Sequence, residues 1–375
     1  MTIKVDTFKS GPFIFSQNYD KEKLDRLIGE ARMLYRTVAD IPILPDMAAK
    51  LEEDLIRKSI FSTAGIEGNP LSQEKVDKIL SQEEMKGKAE KAEKQIRNLK
   101  EAYQIIKNIN ISSSALTLNE DLIKNLHKVI TKDCENPENI PGQYRNRPVK
   151  VGDEEHGGIY IPPKILDDIK NLMSHFVEWM NSKDVLSEDI SIRACLAHYH
   201  LALIHPFDNG NGRTSRAIEA ILLKSAGIRF VPHMLSNFYY KNIDEYFRVF
   251  SLSERNNEHS ITPFVEFFLK GLIASLEEIK EKSFSWIRIL TLRDFYRALR
   301  KNGEISQRQF DFINLLLELP SQFSLKDLFE KDIFKVIYRH VGERTARRDL
   351  KILIEKKLIK TTEDGIYALN INVLG

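Results

Sequence analysis

The stretch from His205 to Arg216, HPFDNGNGRTSR, constrains this chain more than any other. An apolar run, ISIRACLAHYHLALI, leads into it, and a second, AIEAILLKSAG, leads out. Each run is long enough for a buried helix, and the Gly-Asn-Gly between them interrupts the pattern. The spacing therefore predicts helix, phosphate-cradling loop, helix. Gly210 and Gly212 let the backbone turn tightly and approach a ligand with no side chain in the way. A helix starting near Asn211 would point its first N–H groups outward, and with the helix dipole these form an anion site. Successive N–H groups in such a loop can also wrap an oxyanion as a nest. Arg213 and Arg216 are three apart, share a helix face and can each fork onto phosphate oxygens.

His205 stands where the first helix should end, facing the loop. Its imidazole titrates near neutral pH and can take a proton from an attacking hydroxyl. The structural alternative is a histidine that caps the last carbonyls of its helix. The Gly-rich loop and two arginines beside it favour the base role. His198 and His200, on the apolar run, read as packed or hydrogen-bonded core residues, and Phe207 as the residue that anchors the loop.

These residues resemble the signature of the Fic family: His, any, Phe, any, Asp or Glu, Gly, Asn, Gly, Arg, any, any, Arg. The resemblance implies transfer of AMP from ATP to a hydroxyl of a target protein. It makes His205 the base for a Ser, Thr or Tyr hydroxyl, and Gly210, Asn211 and Gly212 the phosphate cradle. Arg213 would bind the β-phosphate region and Arg216 the γ-phosphate. The acidic position would hold magnesium, and here the chain departs from the pattern. That position is Asn209, and the acid sits one residue earlier, at Asp208. An amide oxygen brings no charge, and magnesium favours carboxylates together with phosphates. The expectation is weakened but retained magnesium–nucleotide binding, through Asn209 or through Asp208 in a shifted loop.

Length, charge and cysteine usage exclude several classes. At 375 residues the chain suggests two or three domains, and its 42% hydrophobic content is ordinary for a protein with real cores. With 56 basic against 54 acidic residues, no whole-protein field points to nucleic acid or membrane. The two cysteines, Cys134 and Cys195, are too few for a disulfide framework or a zinc site and fit a reducing cytoplasm, the expected location. No apolar run reaches the length of about 18 residues that a membrane span needs. The N-terminus lacks a charged-then-apolar signal pattern.

Residues 1–20 read as irregular. Apolar spacing predicts helices near 21–38 and from about Pro45 to Ile60. Gly68 and Pro70 then mark a helix end. That leaves Glu67 on a last turn, where its charge opposes the dipole at a cost of up to about 1 kcal/mol unless a cation answers it. Physics alone reads it equally well as a solvated surface carboxylate. The stretch Thr63–Gly68 also resembles the Fic inhibitory motif: Ser or Thr, three residues, Glu, then Gly or Asn. The resemblance implies that Glu67 pairs with Arg216 and blocks the γ-phosphate subsite.

Residues 71–109 read as charged helices with Ile96, Leu99, Tyr103 and Ile106 as the buried stripe. A helix capped by Thr117 or Asn119 follows, to about Ile130. Residues 137–163 break the helical pattern. Val149 and Val151, then Ile159 and Ile161, flank a Gly-rich turn and read as a β-hairpin. The resemblance makes this the flap, about 149–161, whose edge takes an extended target segment by strand addition. Helices at about 165–181 and 188–204 lead to the signature. Tyr239, Tyr240, Tyr246 and Phe247 read mostly as core aromatics. By resemblance Tyr246 also marks the nucleobase side of the site.

Residues 281–302 read as a charged connector helix. In the tail, QRQFDFINLLLEL, SLKDLFEK with Ser324 as cap, and RTARRDLKILIEKKLI read as three helices. Two strands then join at Asp364–Gly365. That set resembles a winged helix-turn-helix. Arg344, Arg347, Arg348 and Lys351 would face phosphates or base edges if it binds DNA, through 343–357. A protein-binding or dimer-forming module is the alternative.

The expected architecture is mainly α. It comprises an N-terminal helical region carrying the inhibitory motif (1–110), a Fic-type core with a β-hairpin flap (111–280), the connector (281–302) and the winged helix domain (303–375). The expected activity is a protein adenylyltransferase using ATP and Mg2+ and restrained by Glu67. Self-modification and a homodimer are compatible with it. The alternative is a nucleotide-sensing transcriptional regulator with a weak Fic domain.

Overall fold

Helix follows the apolar spacing through most of the chain, and strands are few and short. The computed structural model describes residues 2–81, 90–110, 115–133, 136–255, 258–319, 322–363 and 365–374. Cys134, Asp364 and the middle of the charged stretch 71–109, at 82–89, lie outside the described residues. The chain divides into two units, Met1–Lys280 and Glu281–Gly375.

The first unit opens with strands β1 (Thr2–Val5) and β2 (Phe13–Ser16), paired antiparallel with Thr2 opposite Ser16 and Val5 opposite Phe13. The expectation of an irregular start is thus corrected. Four-residue strands are too short for alternation to show in the sequence. What fixes them is tertiary: Phe15 is buried against Phe176, Trp179 and His200. Helices α1 (Lys21–Asp40), α2 (Pro45–Ile66), α3 (Gln73–Ser81), α4 (Lys91–Lys107) and α5 (Glu120–Thr131) follow. The cap of α5 is Asn119, whose side chain accepts from the Leu122 N–H. After the segment that precedes the site come α6 (Leu166–Met180), α7 (Lys183–Leu186), α8 (Ile190–Ile204) and α9 (Asn211–Ser225). A 3-10 turn at Val231–His233, α10 (Leu235–Lys241), α11 (Ile243–Glu254) and α12 (Thr262–Lys301) complete the run.

The pair α8 and α9 forms the middle of this unit. Helix α8 is buried on every face, as a helix apolar all round must be. Helix α2 continues beyond the apolar spacing that ends near Ile60 and stops at Ile66 with Glu67 as its cap, where Gly68 and Pro70 mark the end, and its last turns pack against α10. Gly65 permits that approach: a Cβ there would meet Tyr240 Cε2 at 2.6 Å. The segment expected as a β-hairpin forms a single antiparallel bridge, Val151 with Tyr160, and no strand at Val149 or Ile161. Left-handed Gly152, Gly157 and Gly158 turn the chain too sharply for a ladder to extend.

The second unit contains the rest of α12, then α13 (Gln307–Glu318), β3 (Phe323–Ser324), α14 (Asp327–Glu330), α15 (Asp332–Tyr338), α16 (Glu343–Glu355), β4 (Ile359–Glu363) and β5 (Ile366–Leu369). Its three strands pair antiparallel in the order β3-β5-β4. Leu292, Tyr296 and Leu299 share one core with Phe312, Leu316, Phe334 and Leu350. The stretch 281–302 therefore contributes a wall of this core and is more than a connector; its apolar residues are spaced four and three apart, as one buried stripe requires. Ser324 lies in β3, and its hydroxyl still accepts from the Asp327 N–H that opens the one-turn α14. No helix among the described residues is long and apolar enough to cross a membrane.

Asp168 ties the N-terminal hairpin to α6. Its buried carboxylate accepts from the Phe8 N–H at 2.7 Å, the Lys9 N–H at 3.2 Å and the Ser10 hydroxyl at 2.6 Å. Burial pushes its pKa up, but those donors hold it below the usual carboxylate range. Asp168→Ala should destabilise the first unit by about 2–4 kcal/mol in urea denaturation and expose Phe8–Gly11 to protease. A depressed pKa contributes stability above the unfolded value, so the gap between the two proteins should narrow as pH falls below about 4.

Candidate active site

The site grows from the turn between α8 and α9. His205 caps α8 in a left-handed conformation, φ 49°, with its N–H bonded to the Leu201 carbonyl. Histidine tolerates that region better than branched residues do. Arg145, from the segment before the bridge, pins it: the Arg145 Nε–H donates to the His205 carbonyl at 2.8 Å. Phe207 is fully buried and stacks on His127 of α5, ring centroids 3.6 Å apart. The Asn211 side chain bonds both backbone groups of Phe207, accepting from its N–H at 2.9 Å and donating to its carbonyl at 2.8 Å. Gly210 is left-handed, φ 75°, and a Cβ there would press on Thr131 Cγ2 at 2.6 Å. The intrahelical ladder of α9 starts with Thr214 N–H to Gly210 O, so the N–H groups of Asn211 and Gly212 open its first turn.

His205 Nδ1 lies 3.3 Å from the Ala202 carbonyl oxygen. A carbonyl only accepts, so the proton sits on Nδ1 and Nε2 carries the lone pair. The ring lines a cavity of about 300 Å³ shared with Glu67, Gly212, Arg216, Tyr246 and the bridge residue Val151. Burial, with the charge of Arg145, lowers its pKa to about 4.

Arg216 is buried, and the end of α2 surrounds it. Its Nε–H donates to the Thr63 hydroxyl at 2.7 Å, and its Nη2 donates to the Thr63 carbonyl at 3.3 Å and to Glu67 Oε1 at 2.7 Å. Glu67 also lies against the first turn of α9: a Cβ at position 212 would collide with its Oε1 and sit 3.0 Å from Arg216 Nη1. The carboxylate thus occupies the mouth of the loop that the sequence assigns to an anion. Burial pushes the Glu67 pKa up, but the charges of Arg216 and Arg213 outweigh it and leave it below the usual value. Arg213 is buried one turn earlier, its Nη2 3.4 Å from Asn209 Oδ1.

The residues expected to hold magnesium are engaged otherwise. Asp208 Oδ1 accepts from the Arg147 Nε–H at 2.5 Å, so an arginine already answers its charge. Asn209 Oδ1 faces the Gly210 N–H at 2.9 Å and the Arg213 guanidinium, so its oxygen already looks at donors. Among the described residues no cluster of His, Cys, Asp and Glu has the arrangement of a metal site. These side chains do not fit a protein-held magnesium ion.

Tyr246 does line the cavity, with Phe247 and Phe250. Its hydroxyl, however, turns inward, 2.9 Å from His198 Nε2 and 3.4 Å from Arg216 Nη1. His198 and His200 are buried as expected, His200 against the Ser16 backbone. Sequence reasoning missed His127, which accepts from the Gly142 N–H on one ring nitrogen and bonds the Asn209 carbonyl with the other. Its only signal was a histidine on the apolar side of α5. Arg145 ends the string Pro141-Gly142-Gln143-Tyr144-Arg145, and nothing in that string encodes its bond to His205.

Residues 117–223 match the model of the Fic/DOC family. A relative from Aedes aegypti named protein adenylyltransferase Fic is 29% identical over 253 residues, 67% of this chain and 46% of its own length. One of the same name from Drosophila ananassae is 31% identical over 209 residues, 56% of this chain and 38% of its own. The chain thus spans less than half the length of the curated relatives it matches. Among solved structures, a Fic family protein from Desulfovibrio desulfuricans has a TM-score of 0.55 at 19% identity, covering 93% of this chain and 95% of its own. Fic-1 of C. elegans has a TM-score of 0.55 at 21% identity, covering 70% and 73%. The solved structures agree on the fold, and the family model, which spans the loop and its flanking helices, identifies residues 117–223 as a Fic/DOC domain.

Proposed function

We propose that this chain is a protein adenylyltransferase restrained by its own Glu67. The donor is ATP and the acceptor a Ser, Thr or Tyr hydroxyl of a target protein. His205 Nε2 takes the hydroxyl proton while the oxygen attacks the α-phosphorus in line. The bond from that phosphorus to the bridging oxygen breaks, and pyrophosphate leaves. Backbone N–H groups of Asn211 and Gly212 hold phosphate oxygens, with Arg213 toward the β-phosphate and Arg216 toward the γ-phosphate. Positioning and fixed charge carry such chemistry. Asp208 and Asn209 take no part as metal ligands in this reading.

The observation that carries the reading is the placement of His205: its Nδ1 proton faces the Ala202 carbonyl, which leaves the lone pair on Nε2, and the residue lines the cavity that Gly212 and Arg216 also line. The relatives' printed name supports the group transferred. The bridge segment presents exposed Ile159 and Ile161 at about the place where an extended target segment would add. Autoinhibition is the reading of the Glu67–Arg216 pair.

The second unit we read as a winged helix, from the packing of α13, α15 and α16 around one core beside the β3-β5-β4 sheet. On α16, Arg347 pairs with Glu343 at 2.5 Å and Lys351 lies 3.9 Å from Glu355. Those pairs offset charge that a DNA-binding face would use, which favours a protein-binding role over DNA.

His205→Ala should lower AMP transfer from labelled ATP at least about 100-fold, since a positioned base contributes that much or more. Glu67→Gly should raise the initial rate about 10- to 100-fold, the equivalent of one charge-assisted hydrogen bond removed from Arg216. Equal rates for the two proteins at every ATP concentration would refute autoinhibition. Because the His205 pKa is lowered to about 4, the ring is neutral and competent at neutral pH. The acid limb of kcat/KM, which reports the free enzyme, should therefore lie below about pH 5 and not near the ordinary histidine value.

A further inference from the structure

Arg216 carries one hydrogen bond that does not come from α2. Thr63 and Glu67 hold three of its contacts, and both lie at the end of that helix. The remaining one runs from Nη1 to the Tyr246 hydroxyl, 3.4 Å away, on α11. It comes from α11, so it does not depend on Glu67 staying in place.

The donor sense of that contact is forced along a buried chain. A guanidinium only donates, so the Tyr246 oxygen must accept from Arg216. The phenolic proton must then go elsewhere, and His198 Nε2 lies 2.9 Å away. Nε2 can accept only if it carries no proton, which places the ring proton on Nδ1. Nδ1 faces Glu219 Oε2 at 2.5 Å, and a carboxylate is the partner that keeps the proton there. The same oxygen accepts from the Tyr239 hydroxyl at 2.8 Å. Glu219, His198, Tyr246 and Arg216 are all buried, so each bond that is lost leaves a polar group without water to replace it. Glu219 stands three residues after Arg216 on α9, one turn away, and closes the circuit on the same helix.

We propose that Glu219, through His198 and Tyr246, is a positioning residue that aims Arg216 at the terminal phosphate of the nucleotide. The carboxylate fixes the tautomer of His198. The tautomer fixes the phenol as a donor to it. The phenol then offers Arg216 only a lone pair. If the tautomer reverses, the phenolic proton points at a cation and the contact is lost. This inference rests on the reading of Arg216 as the γ-phosphate ligand.

The test is calorimetric titration of the full chain with ATP and with ADP, all in the Glu67→Gly background. That background should bind ATP about tenfold more tightly than ADP, the equivalent of one charge-assisted contact to the added phosphate. Adding Tyr246→Phe should bring the ratio close to one, through a loss of affinity that falls on ATP more than on ADP. Glu219→Met, which keeps the bulk and removes the acceptor, should do the same. Glu219→Gln should retain the ratio, because its amide oxygen can still accept from Nδ1–H and from Tyr239. An unchanged ratio in Tyr246→Phe overturns the proposal. So does a parallel loss of ATP and ADP affinity in both Tyr246→Phe and Glu219→Met, which is what a merely structural role would give. If the background itself binds ATP and ADP alike with Tyr246 intact, the γ-phosphate reading of Arg216 fails, and the proposal with it.

Discussion

A guanidinium at 4% exposure cannot stand unanswered, and Arg216 is in that position. Taking a cation out of water costs several kcal/mol, which only an opposing charge and well-placed acceptors offset. Glu67 and Thr63 supply them from α2 in the unliganded chain. A phosphate could supply them as well. On the proposed reading the same physical demand serves two occupants, and the two would compete for one cation across the first turn of α9. Neither could be close if residue 212 had a side chain, because a Cβ there would run into the Glu67 carboxylate. The glycine that opens the turn to an anion also opens it to the internal acid.

Competition of that kind requires a loop that does not yield. Backbone and side-chain bonds from four directions fix it: Asn211 to Phe207, Arg145 to His205, Asn139 to the Asn209 N–H, and His127 to the Asn209 carbonyl. The stacked pair of His127 and Phe207 closes the floor. Catalysis by positioned charge depends on such fixation, because donors that move to follow the ligand lose much of their advantage. The burial that fixes the loop also keeps His205 neutral, since a partly desolvated imidazolium beside the Arg145 charge is unfavourable.

The helix-loop-helix was legible because its signals are local: an apolar run, a glycine pair and a second run lie in one window, and α8 and α9 end close to where the pattern breaks. The ion pair of Glu67 with Arg216 spans 149 residues and was legible only through a motif resemblance; spacing alone read Glu67 equally well as a surface acid. The N-terminal hairpin was not legible, since its four-residue strands depend on Phe15 meeting Trp179 far along the chain. The flap was read as more regular than it is, because alternation of Val and Ile counted for more than three left-handed glycines. Tyr246 lines the cavity, and its hydroxyl serves His198 and Arg216, a direction that no sequence period encodes.

The location of the internal acid adds one more step. Glu67 is the C-cap of α2, where a negative charge opposes the helix dipole by about 0.3–1 kcal/mol. In the closed chain Arg216 answers that charge, and the N-terminal turn of α9, with the opposite end of its own dipole, lies beneath it. Once a phosphate takes the guanidinium, both compensations go together. The carboxylate is left at the wrong end of its own helix beside a new anion, so the last turn of α2 gains by loosening. An acid placed mid-helix would have no such bias. On the proposed reading, its position at the cap would make release of Glu67 and occupation of the phosphate site favour one another, through the direction of two helices and the charge of one residue.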